Sequence, residues 1–298
     1  MPAIPALWQF GADVLLLFLL VLSGIALAES GGTPGQRGEY VFRVAGCAGC
    51  HTSKEKGAPA LAGGRELKTQ FGAFYSPNIT PHREYGIGRW STEDLARALR
   101  RGESPGNIHL YPVFPYPSYA GMSNEDIRAL MAYLRRVPES NRPNQPHDLP
   151  WYLRFRALLY LWKLLFHSPE TFAPQAGKSA QWNRGAYLVN VLGHCGECHT
   201  PRNRFGALDS TRYLSGNPDG PEGEAVPNIT PHPGDGIGDW SSREIREYLK
   251  SGLMPDGDVA GGVMADVIDN SLRYLSDDDL DAMVTYLESV PALTKLRR

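Results

Sequence analysis

Cys47-Ala48-Gly49-Cys50-His51 and Cys195-Gly196-Glu197-Cys198-His199 are two copies of one pattern, C-x-x-C-H, that begin 148 positions apart. At this spacing two thiols add across the two vinyl groups of a haem, and the adjoining imidazole lies beneath the iron as its proximal ligand. The motifs hold all 4 cysteines of the chain. Half a zinc site or a thioredoxin-like redox pair also uses C-x-x-C, but paired zinc knuckles lie about 15 to 20 residues apart and thioredoxin pairs sit in a βαβ pattern. Neither context surrounds these cysteines. The expected chemistry is covalent attachment of two haem c groups, with Cys47, Cys50, Cys195 and Cys198 as the thioether residues and His51 and His199 as iron ligands.

The elements that must present these residues follow from an internal repeat. Ser76-Pro77-Asn78-Ile79-Thr80-Pro81-His82 recurs as Val226-Pro227-Asn228-Ile229-Thr230-Pro231-His232, and both runs continue through Gly-Ile-Gly-x-Trp-Ser to Trp90-Ser91 and Trp240-Ser241 at an offset of 150. Each copy then opens a helix with a capping box, Ser91 with Asp94 and Ser241 with Glu244, in which hydroxyl and carboxylate satisfy free first-turn amides. Gly102 and Gly252 mark the ends of these helices. Ser123 with Asp126 and Ser276 with Asp279 read as two further capping boxes, now at an offset of 153. The closing helices they begin carry apolar stripes, Ile127, Leu130, Met131 and Leu134 in the first and Leu280, Met283, Val284 and Leu287 in the second. Pro138 and Pro291 stop them. Each half therefore reads as an opening helix with a tyrosine (Tyr40, Tyr187), the haem motif, a loop, a middle helix, a ligand loop and a closing helix.

Composition narrows the function classes. With 30 Lys and Arg against 32 Asp and Glu, the chain has no basic field to attract nucleic acid. Val14 to Ala28 is an apolar run ending in Ala26-Leu27-Ala28, which fits a signal-peptidase site and implies export. No Lys or Arg precedes it, so residues 1–28 read as either a signal peptide or an N-terminal membrane anchor. The expected location is the periplasm, free or anchored to the inner membrane. Pro138, Pro143, Pro146 and Pro150 punctuate a stretch that reads as a linker. Leu149 to Phe166 after it is apolar and aromatic nearly all round, interrupted by Arg154, Arg156 and Lys163. It suits either a helix packed between domains or a surface docked on a membrane or partner, with Trp151 and Trp162 as anchors. The expected fold is all-α: domains over 38–138 and 181–298, joined by a linker and connecting helix over 139–180.

The order of elements in each half is that of a class I cytochrome c domain. The run Trp182-Asn183-Arg184-Gly185-Ala186-Tyr187-Leu188, then Gly193-His194-Cys195 to His199-Thr200-Pro201-Arg202-Asn203, resembles the second haem domain of the cytochrome c subunits of membrane-associated alcohol, gluconate and aldehyde dehydrogenases. The paired Asn-Ile-Thr-Pro and Gly-Ile-Gly-x-Trp blocks and the Leu110-Tyr111-Pro112-Val113-Phe114-Pro115-Tyr116 loop are similar to that family too. The resemblance covers roughly Gly38 to Pro291. It implies a periplasmic electron-transfer subunit whose donor is a quinone- or molybdenum-dependent dehydrogenase and whose acceptor is a soluble cytochrome, an oxidase or a quinone. Such subunits often carry three haem domains, whereas this chain has two motifs. The alternative is a haem enzyme, a dihaem peroxidase or thiosulfate-oxidising cytochrome, with an open or labile first haem.

The sixth iron ligands are the least constrained part. Met264, in Gly261-Gly262-Val263-Met264, lies in the loop where such domains present a thioether, and the glycines let backbone approach the haem; a core-filling methionine is the alternative. Thioether ligation raises the potential of that haem. In the first half the 150 offset sets Phe114 opposite Met264, and phenylalanine cannot bind iron. Met122 is placed first as substitute, because related chains often carry a thioether in this region, although as the residue before Ser123 it also suits a hydrophobic staple onto Ile127. His109 is second and would lower the potential. A site with no protein ligand is third. Trp90 and Trp240 read as propionate partners or core residues, Arg202 as a propionate partner or a solvated arginine, and His82 and His232 as turn residues.

Overall fold

A computed structural model describes residues 34–295, and the segment read above as signal peptide or anchor lies outside them. The chain from Pro34 onward clusters as one compact unit. Helix α1 (Pro34–Val44) leads into α2 (Cys47–His51), which is the first haem motif. A hairpin follows, β1 (Glu66–Thr69) with β2 (Gly72–Tyr75). Then come α3 (Thr92–Arg101), the two-residue strands β3 (Glu103–Ser104) and β4 (Ile108–His109), α4 (Tyr116–Tyr119) and α5 (Asn124–Leu134). The connecting helix is α6 (Ala157–Phe166), preceded by a 3-10 turn at Trp151–Arg154. The second half holds α7 (Ala180–Tyr187), which runs on into a π-turn at Leu188–Leu192, α8 (Gly196–His199), α9 (Ser242–Ser251), α10 (Gly262–Asn270) and α11 (Asp277–Leu287). Among the described residues the chain is largely helical, and the all-α expectation is corrected by two short antiparallel hairpins in the first half and isolated antiparallel bridges in the second.

The middle helices end where the sequence says. Ser91 and Asp94 close a full capping box on α3, and Ser241 and Glu244 do so on α9, while Gly102 and Gly252 end them in left-handed geometry at φ 58 and 82. The closing helices differ from expectation in an informative way. Ser123 and Ser276 accept from the amides of Asp126 and Asp279, but those carboxylates turn away from the serine backbone. The serine N–H groups donate instead to tyrosine hydroxyls of the opposite half, Ser123 to Tyr187 at 3.1 Å and Ser276 to Tyr40 at 3.3 Å.

A close helix crossing holds each half. A Cβ on Gly38 of α1 would collide with the Ala129 carbonyl of α5, and one on Gly185 of α7 with the Ala282 carbonyl of α11. The apolar stripes of α1, α3, α5, α7, α9 and α11 merge into one core, with Val41, Ile127, Leu188, Leu280 and Met283 at 2 % exposure or less. The proline-rich stretch has almost no regular structure, yet it is strapped to the first half. Asn78 donates to the carbonyls of Ser140 and Arg142, and Asp148 bridges Ala73 in an antiparallel pair. Prolines cannot fill a strand ladder, but their carbonyl-rich neighbourhood still accepts hydrogen bonds.

Helix α6 touches both halves with one face. Arg156 and Lys163 point inward, to the His109 and Gly102 carbonyls, and the Trp162 indole donates to Phe205 O at 2.8 Å. The rest of its apolar surface stays open, Leu164 at 65 % and Leu165 at 66 % exposure, and Trp151 just before it at 72 %. Among the described residues no helix is long and apolar enough to cross a membrane.

Candidate functional site

Both haem motifs are presented identically. Each begins just after a residue in the left-handed region, Gly46 at φ 64 and His194 at φ 39, which turns the chain sharply into the first cysteine. His51 Nδ1 lies 2.8 Å from the Pro77 carbonyl, and His199 Nδ1 lies 2.8 Å from the Pro227 carbonyl. This bond fixes the tautomer with the proton on Nδ1 and leaves Nε2 for a metal, the second-shell arrangement of iron- and zinc-bound histidines. Burial lowers the pKa of both imidazoles against the opposing effect of those carbonyls, so both are held neutral, as a ligand must be. The thiols are also kept protonated by burial, Cys47 and Cys195 up to about 12 and Cys198 up to about 11. No cysteine is in a disulfide among the described residues. Two thiols and an oriented imidazole on one turn of helix fit a covalently attached haem.

The repeated Asn-Ile-Thr-Pro blocks turn out to position those prolines. Asn78 Oδ1 accepts from the Thr80 amide and Asn228 Oδ1 from the Thr230 amide, closing a tight turn. The side-chain amides then tie the turns to later chain, Asn78 to Ser140 O and Asn228 to Leu293 O. His82 is a turn residue, its Nδ1 accepting from the Tyr85 amide at 3.2 Å. Arg202 clamps the Glu197 carboxylate at 2.6 Å, inside the second motif. Trp90 and Trp240 are half-buried at the edge of the core.

The tertiary structure brings the two motifs together through contacts the sequence did not reveal. Ser118 of α4 donates to Glu197 of the second motif at 2.7 Å. Ser271, just after α10, donates to the Val44 carbonyl just before the first motif, also at 2.7 Å. Arg65 reaches from the Gly49 carbonyl of the first motif to Asp266 of α10, the helix that carries Met264. Lys54 adds a second cation at 2.9 Å, and its hydrogen bond is the largest cause holding the Asp266 carboxyl below its ordinary pKa. Each half thus lays the segment after its ligand loop on the other half's attachment helix.

The buried faces of this junction are braced by a second repeated cluster. Arg37 pairs with Asp126 at 2.9 Å, and Arg184 with Asp279 at 2.7 Å. Into each pair the other half inserts a tyrosine hydroxyl, Tyr187 onto Asp126 and Tyr40 onto Asp279. The tyrosines were legible as opening-helix residues; that they cross over was not.

Among the distal candidates, Met264 is the third residue of α10 and is half-buried against the core. The preceding Gly262 has φ 53 and lies against the Glu224 carboxylate, so its freedom serves a turn and a close contact. Met122 has no exposed surface and precedes the cap of α5. His109 lies 3.0 Å from Lys163 Nζ and against the Tyr160 ring, both of α6.

These features define a covalent haem protein, and the comparisons agree: the chain belongs to the cytochrome c family, whose family model matches residues 35–138. A dihaem cytochrome c-type protein of Cereibacter sphaeroides is 46 % identical over 261 residues, 86 % of each chain. The fructose dehydrogenase cytochrome subunit of Gluconobacter japonicus is 41 % identical over 258 residues, 86 % of this chain and 52 % of that one. The gluconate 2-dehydrogenase cytochrome c subunit of Pantoea cypripedii is 40 % identical over 294 residues, 94 % of this chain and 65 % of that one. The chain spans between half and two thirds of those two dehydrogenase subunits.

Proposed function

We infer that the protein is an exported dihaem electron-transfer subunit, built as two cytochrome c domains, that accepts electrons from a partner dehydrogenase and passes them to a respiratory acceptor. The observation that carries this reading is the junction itself, in which Ser118 binds the second motif, Ser271 binds the Val44 carbonyl just before the first, and Arg65 links the first motif to Asp266. Haem c attached at each motif supplies reversible one-electron oxidation and reduction. The chain's residues set the conditions. His51 and His199 are oriented by Pro77 and Pro227, and Met264 is the thioether candidate for the second iron. The Asp126 and Asp279 clusters tie the two halves to one another, which holds the path between the motifs constant.

The relatives named as dehydrogenase subunits support a dehydrogenase donor of quinone- or molybdenum-dependent type. A soluble cytochrome, an oxidase or a quinone is the acceptor class. The apolar run before Ala28 supports a periplasmic location, and the open face around α6 supports docking on a membrane or partner.

Holoprotein from a host competent in cytochrome maturation tests the reading. Two haems per chain by pyridine haemochrome, and rapid reduction of both by a reduced quinone-dependent dehydrogenase, are expected. Fewer than two haems, or oxidation of substrate by the isolated chain, would reject it. Met264→Ala is expected to lower the potential of one haem only and leave the other unchanged.

A further inference from the structure

We propose that the first haem has no sixth ligand from the protein, so that this site takes a small neutral diatomic ligand on ferrous iron while the second site does not. The proposal rests on the two-haem reading above and on a structural alignment of the two ligand loops. Both loops leave the middle helix through the same bond, Leu110 N–H to Gly102 O and Ala260 N–H to Gly252 O, each at 2.8 Å. Four residues beyond these anchors stand Phe114 and Met264.

The loops rejoin in register at their far ends. Met122 N–H donates to Tyr119 O, and Leu275 N–H donates to Leu272 O. The carbonyls of Met122 and Leu275 are capped by matching cations, Arg100 and Lys250. Both residues are buried, at 0 % and 1 %, and both precede the capping serine. Met122 is therefore the counterpart of Leu275, a staple onto the closing helix, and leucine does not ligate iron. Counting back from this end, the counterpart of Met264 is Tyr111, whose hydroxyl donates to Leu153 O at 2.8 Å and whose ring lies under Arg156. In either register the first half sets no thioether or imidazole at the position of Met264.

The remaining donors of the first half are committed elsewhere. His82 Nδ1 accepts from the Tyr85 amide, His109 meets Lys163, His147 Nδ1 accepts from the Tyr75 amide, His167 meets the Arg100 carbonyl, and Met131 is buried on α5. His194 from the second half bonds the Ala45 carbonyl on the attachment side. Phe114 packs on Tyr119 with ring centroids 5.8 Å apart, and the Tyr119 hydroxyl is spent on the Ala45 carbonyl at 2.7 Å, so the pair supplies no free donor to an anion and favours a neutral ligand.

Carbon monoxide titration of the dithionite-reduced holoprotein tests this, alongside electron paramagnetic resonance of the oxidised form. One equivalent of carbon monoxide per two haems and one high-spin ferric signal are expected. Phe114→Met should abolish both, whereas Met122→Leu and His109→Ala should leave both unchanged. No uptake with two low-spin signals would overturn the proposal, and a new uptake in Met122→Leu or His109→Ala would then name the true ligand. Two equivalents would overturn the contrast with the second site. Haem content is counted separately, so a preparation with fewer than two haems indicts the dihaem reading and not this one.

Discussion

Tyr187 and Tyr40 show how much depends on single hydroxyl groups. Each donates to a carboxylate of the other half and accepts a helix-start amide, so removing it strands two groups at once. Hydrogen bonds to charged partners contribute roughly 1.5 to 3 kcal/mol. Tyr187→Phe is expected to lower unfolding stability by about 2 kcal/mol in urea titrations of the holoprotein, with the haem absorbance intact. The Asp279 carboxyl carries a pH signature. Burial acts to raise its pKa, but the Arg184 guanidinium and Tyr40 hydroxyl outweigh this, and it lies below the ordinary carboxylate value. A carboxyl lowered in the folded state stabilises above its unfolded pKa, about 4, and loses that contribution as pH falls through the folded value. Asp279→Asn should therefore be less stable than the parent at neutral pH, with the difference shrinking as pH drops below about 4 in acid-unfolding curves.

Helices rather than residues explain the two glycines that sequence reading passed over. Gly38 and Gly185 let α1 approach α5 and α7 approach α11 to backbone contact. A methyl group there overpacks the crossing, at a cost of about 1 to 3 kcal/mol. Gly38→Ala and Gly185→Ala are each expected to lower the melting temperature, while Gly257→Ala, where a Cβ would meet nothing although φ is 89, reports backbone strain alone. Helix α6 carries a different cost. Burial pushes Lys163 down to about 8 although Glu103 acts the other way. An amine whose folded pKa is lowered destabilises the fold while it must be charged, and the penalty fades as pH rises from about 8 toward its unfolded value. Lys163→Met should gain its largest advantage over the parent at pH 7 and lose it by about pH 10 in denaturant titrations, because the unfolded amine itself deprotonates near 10.4.

The molecule as a whole unfolds as one body on this reasoning. The halves share a core and exchange tyrosines, so denaturation should give a single transition seen alike by haem absorbance and by far-ultraviolet circular dichroism. Two separated transitions would show that the junction is weaker than its hydrogen bonds imply. The open face of α6 makes a further expectation at this scale. Beside its exposed Trp151, Leu164 and Leu165 stands the exposed Arg154, and the segment from Leu149 to His167 has no acidic residue, which suits an anionic surface. Leu161→Ser with Leu165→Ser should leave haem spectra unchanged and reduce sedimentation with anionic vesicles.

Much of this could be read from residue order, because it is local. C-x-x-C-H places its two attaching thiols and its ligating imidazole within about one turn, capping serines sit three residues from the amides they satisfy, and a glycine ends a helix by its own φ preference; such bonds form wherever the chain coils. The repeat located both copies of each element, and its Asn-Ile-Thr-Pro blocks were visible before their task beneath the histidines was. What order alone left open involves partners tens to hundreds of residues apart. Asp126 and Asp279 were read as ordinary capping-box carboxylates, and only the packing of the halves turned them toward arginines and crossed tyrosines. By residue order Met122 stands ahead of His109 as the first distal ligand, although His109 has the better loop spacing; the fold sets Met122 in the place that Leu275 takes in the other half and His109 3.0 Å from Lys163 Nζ. A sequence fixes which hydrogen bonds are possible along a few residues of backbone; which distant groups meet depends on how whole helices cross, and that is decided only when their apolar faces are buried together.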